Sequence, residues 1–239
     1  MLQLSVSVVI PARNEATTVG PIASACAAQR GVVEVIVVDD GSTDDTAAVA
    51  ANAGAIVVTA TAGPGKGSAI RDGVAAAGGA LVVFCDADLV GFDGSIIGKL
   101  AAGASATNVL VKGTYARAGE GGRVTELTAK PAIRLLHPEV AHIDQPLGGE
   151  YAAWREALLP LRLVRGYGVD LALLLDLADT YGAAAVTQVD LGIRRHRNRP
   201  LAELTTQAQE VLAVALHRAG VPGIRVEECP PLQARRRSA

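Results

Sequence analysis

With 239 residues, half of them hydrophobic, 19% charged and a formal net charge of −2, the chain has enough apolar material for a large core and no electrostatic basis for wrapping nucleic acid. Its three cysteines, Cys26, Cys85 and Cys229, are odd in number and lack metal-type spacing, which argues against a disulfide framework or a zinc site and fits a reducing, cytoplasmic setting. No apolar run approaches the ~18 residues that span a bilayer, and MLQLSVSVVI lacks the basic flank and cleavage site of a signal peptide, so stable membrane insertion is not expected.

Residues 5–10 read as a buried strand, and PARNEATT after them opens a helix to about residue 29, with Thr17 or Thr18 as its cap. A second strand over 32–38 ends in DDGSTDD, where Ser42 or Thr43 can cap a helix reaching residue 52. A third strand over 55–59 leads into TAGPGKG and a helix over 68–77. Residues 80–85 are a continuous apolar run stopped by the acids of DAD, the pattern of a strand buried on both faces. Strands alternating with helices in this way imply a largely parallel sheet whose strand-to-helix junctions share one edge.

The second half is less regular. Residues 108–115 alternate weakly as a strand, GEGG at 119–122 is a turn, and 123–127 fit the return strand of a hairpin. Helices are predicted over 130–136, 169–181 and 201–218, with Asp170 in the first turn of the middle one, and a further strand over 184–189. QPLGGEY at 145–151 holds two glycines that neither a helix nor a strand requires, which predicts close approach of this backbone to a ligand or a neighbouring chain. The tail from Cys229, CPPLQARRRSA, changes composition abruptly and is expected to be disordered.

The chemistry gathers at the predicted junctions. Asp86 and Asp88 close the fourth strand, and two carboxylates there can hold a hard divalent cation at the sheet edge where ligands bind in open α/β folds. An acidic turn with no ligand competes for D-x-D alone. Asp39 and Asp40 leave the second strand at the same edge, where a carboxylate can bond a ribose hydroxyl or a base N–H, whereas Asp44 and Asp45 are equally explained as acids at a helix start. GPGKG lacks P-loop spacing, yet its glycines bring backbone N–H groups, and Lys66 an ammonium, toward an anion above the edge. In GIRRHRNRP four arginines flank His196 and Asn198; a solvated basic loop is the ordinary reading, and an aromatic-poor, slightly acidic chain favours a small anionic substrate over nucleic acid. Beside a two-aspartate site, His196 is a candidate third metal ligand.

The ordered set VIPARNE, VVDDGSTDD, GPGKG and DAD resembles the nucleotide-sugar half of glycosyltransferases of GT-A fold. GGRVTEL, QPLGGEYA, GYGVD and HRNRPL are similar to the glucosyl-3-phosphoglycerate synthases, retaining enzymes of actinobacterial type, and the resemblance runs from about residue 8 to 201. It implies an α/β, GT-A-type single domain over 1–228, with a mostly parallel Rossmann-like sheet, flanking helices and a smaller acceptor-side subregion after about residue 115. It further implies transfer of glucose from UDP-glucose to the 2-hydroxyl of 3-phosphoglycerate, with Mg2+ or Mn2+. Carried over residue by residue, Pro11, Ala12, Arg13, Glu15, Asp40, Lys66 and Asp86 hold the donor, and Asp88 and His196 ligate the metal. Gly122, Arg123, Thr125 and Asn198 hold the acceptor's phosphate and carboxylate, while Tyr167, Asp170 and the Leu147 backbone flank the sugar and the transfer point.

Three departures stand out. The family usually has Glu where this chain has Asp170 and a neutral aliphatic residue where it has Arg13, and the chain is shorter at both ends than the family pattern. The ends of such proteins often mediate dimer contacts, so a homodimer is one of the states left open. Other readings keep the donor chemistry but change the sugar, as with GDP-mannose, or change the acceptor to another small acidic molecule. A non-catalytic nucleotide-sugar module would keep Asp40 and Lys66 without needing Asp88, His196 and the acceptor cluster together.

Overall fold

The computed structural model of the protein describes residues 4–117, 122–194 and 201–232. Four strands, β1 (Val6–Ala12), β2 (Val32–Asp39), β3 (Ile56–Thr59) and β4 (Leu81–Phe84), alternate with helices α1 (Val19–Ala27), α2 (Thr46–Asn52) and α3 (Lys66–Ala76). β1 pairs in parallel with β2 and β4, and β2 with β3, as helical crossovers permit. After β4 come α4 (Ser95–Gly103), β5 (Leu110–Arg117), a π turn at Thr125–Ala129 that runs into α5 (Lys130–Leu136), β6 (Tyr151–Trp154), the short α6 (Arg155–Leu158), α7 (Val169–Tyr181), β7 (Val186–Arg194) and α8 (Leu201–Arg218).

Together the strands form one seven-stranded sheet in the order β3-β2-β1-β4-β6-β5-β7. β6 is antiparallel to both β4 and β5, and β7 is parallel to β5, so β6 alone runs against the rest. The sheet is therefore mostly parallel, and its strands carry apolar side chains to both faces, as the largely apolar β1 and β2 and the uninterrupted apolar run of β4 require. Val9, Ile36, Val82, Phe84, Leu110 and Tyr151 bury against α3, α5, α7 and α8 on one face. Val8, Ile10, Val37, Val83 and Val111 bury against α1, α2 and α4 on the other.

Several expectations are corrected. Residues 123–127 are helical, leading into α5, and the parallel neighbour of β5 is the distant β7. The helix after DDGSTDD begins at Thr46, because Ser42 and Thr43 are committed elsewhere: Asn14 N–H donates to Ser42 Oγ at 3.0 Å, and Thr43 N–H donates to Asn14 Oδ1 at 2.8 Å. Thr18 does stand at the cap position of α1, but its hydroxyl donates to the Glu15 carboxylate at 3.2 Å and leaves the helix N–H groups alone. The tail is ordered at its start: Cys229 is buried and its N–H donates to the Leu163 carbonyl at 2.8 Å, while residues 233–239 lie outside the described residues. A small buried thiol with its backbone paired is held by packing whatever the composition of the residues around it.

Candidate active site

The carboxyl ends of β1, β2 and β4 and the start of α3 enclose a pocket of about 210 Å³ lined by Pro11, Ala12, Arg13, Glu15, Asp40, Gly65, Lys66, Ala69, Asp86, Ala87, Asp88 and Tyr167. Parallel strands place their ends side by side, so segments far apart in the chain converge there. Every residue assigned to the donor is in that lining, with Asp88 and Tyr167 beside them.

Lys66 is the electrostatic centre. Its Nζ lies 2.8 Å from Asp170 Oδ2 and 2.9 Å from Asp86 Oδ1. Burial alone would push the ammonium down, but the Asp170 and then the Asp86 carboxylates reverse this and hold it above the ordinary lysine range. Asp170 is buried in the first turn of α7, and among the described residues its second oxygen, Oδ1, makes no well-formed hydrogen bond, although the Tyr151 phenol interacts with the same carboxylate. The Tyr151 hydroxyl is likewise buried beside that carboxylate; burial first, then the Asp170 and Asp86 charges and a hydrogen-bonding interaction with Asp170, push its phenol well above its usual value.

The glycine loop acts differently from its sequence reading. Gly65 N–H donates to both oxygens of Asp40 at 3.0 and 3.1 Å, and the Gly67 and Ser68 N–H groups donate to the Arg165 carbonyl at 2.7 and 3.2 Å. Those N–H groups are spent inside the protein, so the cationic contribution of GPGKG to an anion comes from Lys66. The glycines are needed for packing, since a side chain on Gly67 would run into the Val164 carbonyl. Asp40 keeps its place on the wall, its carboxyl raised by burial and partly restored by the Gly65 N–H and by Arg13. Asp44 proves to be a turn-fastening acid: it accepts from the Thr46 hydroxyl and from the N–H groups of Thr46 and Ala16.

The two glycines of QPLGGEY do mark a close approach. A side chain on Gly149 would collide with the Asp86 carboxylate, which brings the turn holding Leu147 against the floor of the pocket. That turn is fastened by a residue absent from the sequence reading. Lys112 on β5 is 1% exposed; its Nζ donates to the Gly148 carbonyl at 2.7 Å and sits 4.4 Å from the centroid of the Tyr151 ring. Burial lowers it to about 8, against the opposing pull of Asp170. The available signal was its setting: a lysine directly after three apolar residues, Val109 to Val111, has little claim to a solvated face.

Gly122, Arg123 and Thr125 stand together where the chain turns into a helix, Gly122 at φ +78° and Thr125 buried, outside the donor pocket's lining. Helix N-terminal N–H groups and an arginine suit a phosphate or carboxylate. His196 and Asn198 lie outside the described residues. Asp86 and Asp88 supply hard oxygen donors of the kind that Mg2+ and Mn2+ take, and fit a divalent cation as part of a larger set. Among the described residues no cluster of three or more His, Cys, Asp or Glu side chains is positioned to hold a metal.

The sequence pattern of Glycosyl transferase family 2 matches residues 7–151. The chain is 43% identical over 243 residues to the glucosyl-3-phosphoglycerate synthase of Mycolicibacterium paratuberculosis, covering 91% of this chain and 73% of that one. The chain belongs to the glucosyl-3-phosphoglycerate synthases of glycosyl transferase family 2. Within this family, the synthase of Petrotoga mobilis is 36% identical over 203 residues, which are 77% of this chain and 62% of that one. The crystal structure of the Mycobacterium tuberculosis glucosyl-3-phosphoglycerate synthase with Mn2+, UDP-glucose and phosphoglyceric acid superposes with a TM-score of 0.89 at 38% identity, covering 96% of this chain and 90% of that one. Another structure of that protein holds Mg2+ and UDP and superposes at 0.86. The single α/β domain with its seven-stranded sheet is thus the fold of this family. No described helix is long and apolar enough to cross a membrane.

Proposed function

We propose that the protein transfers glucose from UDP-glucose to the 2-hydroxyl of 3-phosphoglycerate with retention of configuration, in the presence of Mg2+ or Mn2+. The observation that carries this reading is the convergence of Lys66, Asp86 and Asp170 at the floor of a pocket lined by the donor residues, in a chain of this family. Pro11, Ala12, Arg13, Glu15 and Asp40 would take the uridine end, with the Asp40 carboxylate as acceptor for a ribose hydroxyl or base N–H. Asp86, Asp88 and His196 would hold the cation, which when bound supplies Lewis-acid charge beside the diphosphate.

Lys66 serves the step itself. Its ammonium, kept charged by two carboxylates, is available where negative charge grows on the departing UDP. Asp170, at the first turn of α7 beside Lys66, would orient sugar hydroxyls and with them the anomeric carbon. Gly122, Arg123, Thr125 and Asn198 would bind the acceptor's phosphate and carboxylate, with Tyr167 and the Leu147 backbone flanking the transfer point. For retention without a protein nucleophile, the acceptor oxygen attacks on the face the diphosphate leaves. The new C–O bond forms as the bond to the diphosphate breaks, and the hydroxyl proton passes to a diphosphate oxygen.

Within this reading the protein works in the cytoplasm, and a homodimer is one of the states left open, to be decided by sedimentation. The function is tested by a grid of UDP-glucose, UDP-mannose, GDP-glucose and GDP-mannose against 3-phosphoglycerate, glycerol 3-phosphate and other small acids, with Mg2+ or Mn2+, read as released nucleotide. UDP release greatest with UDP-glucose and 3-phosphoglycerate supports the reading; a preference for GDP-mannose or for an acceptor lacking the carboxylate overturns it.

A further inference from the structure

A fully buried lysine in the middle of a sheet needs a reason. Moving an ammonium out of water costs several kcal/mol unless partners repay it, and a methionine of similar length would fill the same space at no such cost. The one side-chain hydrogen bond of Lys112 among the described residues goes to the Gly148 carbonyl at 2.7 Å. Its ammonium also lies over the Tyr151 ring, its antiparallel cross-strand partner on β6, and is influenced by the Asp170, Glu150 and Asp86 carboxylates and by the like charge of Lys66.

The Gly148 carbonyl is one of two fastenings on the same short turn. Gly148 N–H donates to the Gln145 carbonyl at 3.1 Å, and that N–H shares a planar peptide unit with the Leu147 carbonyl. With the N–H directed at Gln145 and the following carbonyl drawn to Lys112, the Leu147 carbonyl is left one orientation, away from Gln145. Beyond the turn, Gly113 N–H donates to the Glu150 carbonyl at 2.9 Å, so β5 grips the segment on both sides of Gly149, which itself abuts Asp86.

We propose that Lys112 is a positioning residue for glucosyl transfer, holding the Leu147–Gly148 peptide at the transfer point through its hydrogen bond to the Gly148 carbonyl. This rests on the reading that the Leu147 backbone flanks the transfer point. A carbonyl dipole set against the anomeric carbon favours the positive charge that builds there as the donor bond breaks, and its benefit is lost if the peptide can turn. Lys112 touches neither substrate in this scheme and acts only through the turn.

The test is Lys112→Met, measured beside the unaltered chain for thermal unfolding, for UDP affinity with Mg2+, and for two rates: transfer to 3-phosphoglycerate, and slow hydrolysis of UDP-glucose without acceptor. The expected result is a melting temperature equal to or above that of the unaltered chain, with UDP affinity and acceptor KM within about threefold. Transfer kcat and the hydrolysis rate should both fall at least about tenfold, the loss of a charge-assisted bond. Unchanged kcat and hydrolysis in a folded variant overturn the proposal, as does a loss confined to UDP affinity or to acceptor KM. If Lys112→Met does not fold, Lys112→Leu is measured in the same way; failure of both to fold makes the role structural and also overturns it. If the unaltered chain hydrolyses UDP-glucose but transfers nothing to 3-phosphoglycerate, the acceptor reading fails by itself, and Lys112 is judged on the hydrolysis rate.

Discussion

Lys66 and Asp170, 104 residues apart in the chain, meet at 2.8 Å on the pocket floor, and this contact ties the donor-binding strands to the helix that carries the sugar-side acid. Both side chains are largely withheld from water, so neither charge is cheap to leave alone.

Removing the ammonium should therefore damage folding as well as chemistry. Lys66→Met leaves two carboxylates facing each other and is expected to lower unfolding stability by about 3–5 kcal/mol. Denaturant unfolding without metal or donor measures this directly, and a loss below about 1 kcal/mol would mean that the ion pairs contribute little.

Asp170→Asn keeps the shape of the side chain while removing its charge. If Oδ1 accepts a sugar hydroxyl, kcat/KM for UDP-glucose should fall about ten- to a hundredfold, with UDP affinity little changed because UDP lacks the sugar. Equal losses for UDP and UDP-glucose would place Asp170 at the diphosphate.

Lys112 makes stability depend on alkaline pH in a definite direction. Its folded value of about 8 lies below the ordinary 10.5, so between those values the unfolded chain holds the proton and the folded chain does not. The unfolded state then binds more protons, and stability rises with pH across that window, by up to about 3 kcal/mol. Below pH 8 the burial penalty is present in full. Comparing unfolding free energies of the unaltered chain and Lys112→Met from pH 7 to 10.5 should show a difference that shifts in favour of the unaltered chain as pH rises; a constant difference would contradict the lowered value.

Metal removal should cost donor affinity. Asp86 and Asp88 sit on the pocket wall as two carboxylates, and a diphosphate approaches them only with a cation between. UDP calorimetry is expected to show strong weakening by chelator, and equal affinity with and without divalent metal would remove both residues from the donor site.

Much of this site was legible because parallel strands announce themselves. β1, β2 and β4 are apolar runs that end in PARNE, DDGST and DAD, so position along the chain translated directly into position on one edge. β6 was not legible: four residues beginning Tyr-Ala-Ala carry little β-propensity, and their place between β4 and β5 depends on pairing with segments some 40 and 70 residues away. Residues 123–127 misled through Val124 and Thr125, β-branched residues that suit a strand locally but here enter a helix packed beneath α8. α4 was passed over because Gly94, Gly98 and Gly103 resemble loop punctuation. Lys112 was hidden by its own type, since a lysine in a strand is ordinarily solvated, and only the tertiary structure shows it holding the turn beside Asp86.

The most direct test of the proposed reaction is to follow UDP-glucose and 3-phosphoglycerate with the protein and Mg2+ by proton NMR, observing the anomeric signal of the product as UDP appears. One glucosylated 3-phosphoglycerate per UDP, with the α configuration of the donor kept, is the result expected. A β-linked product, or UDP and free glucose with no glucosylated acceptor, would contradict it.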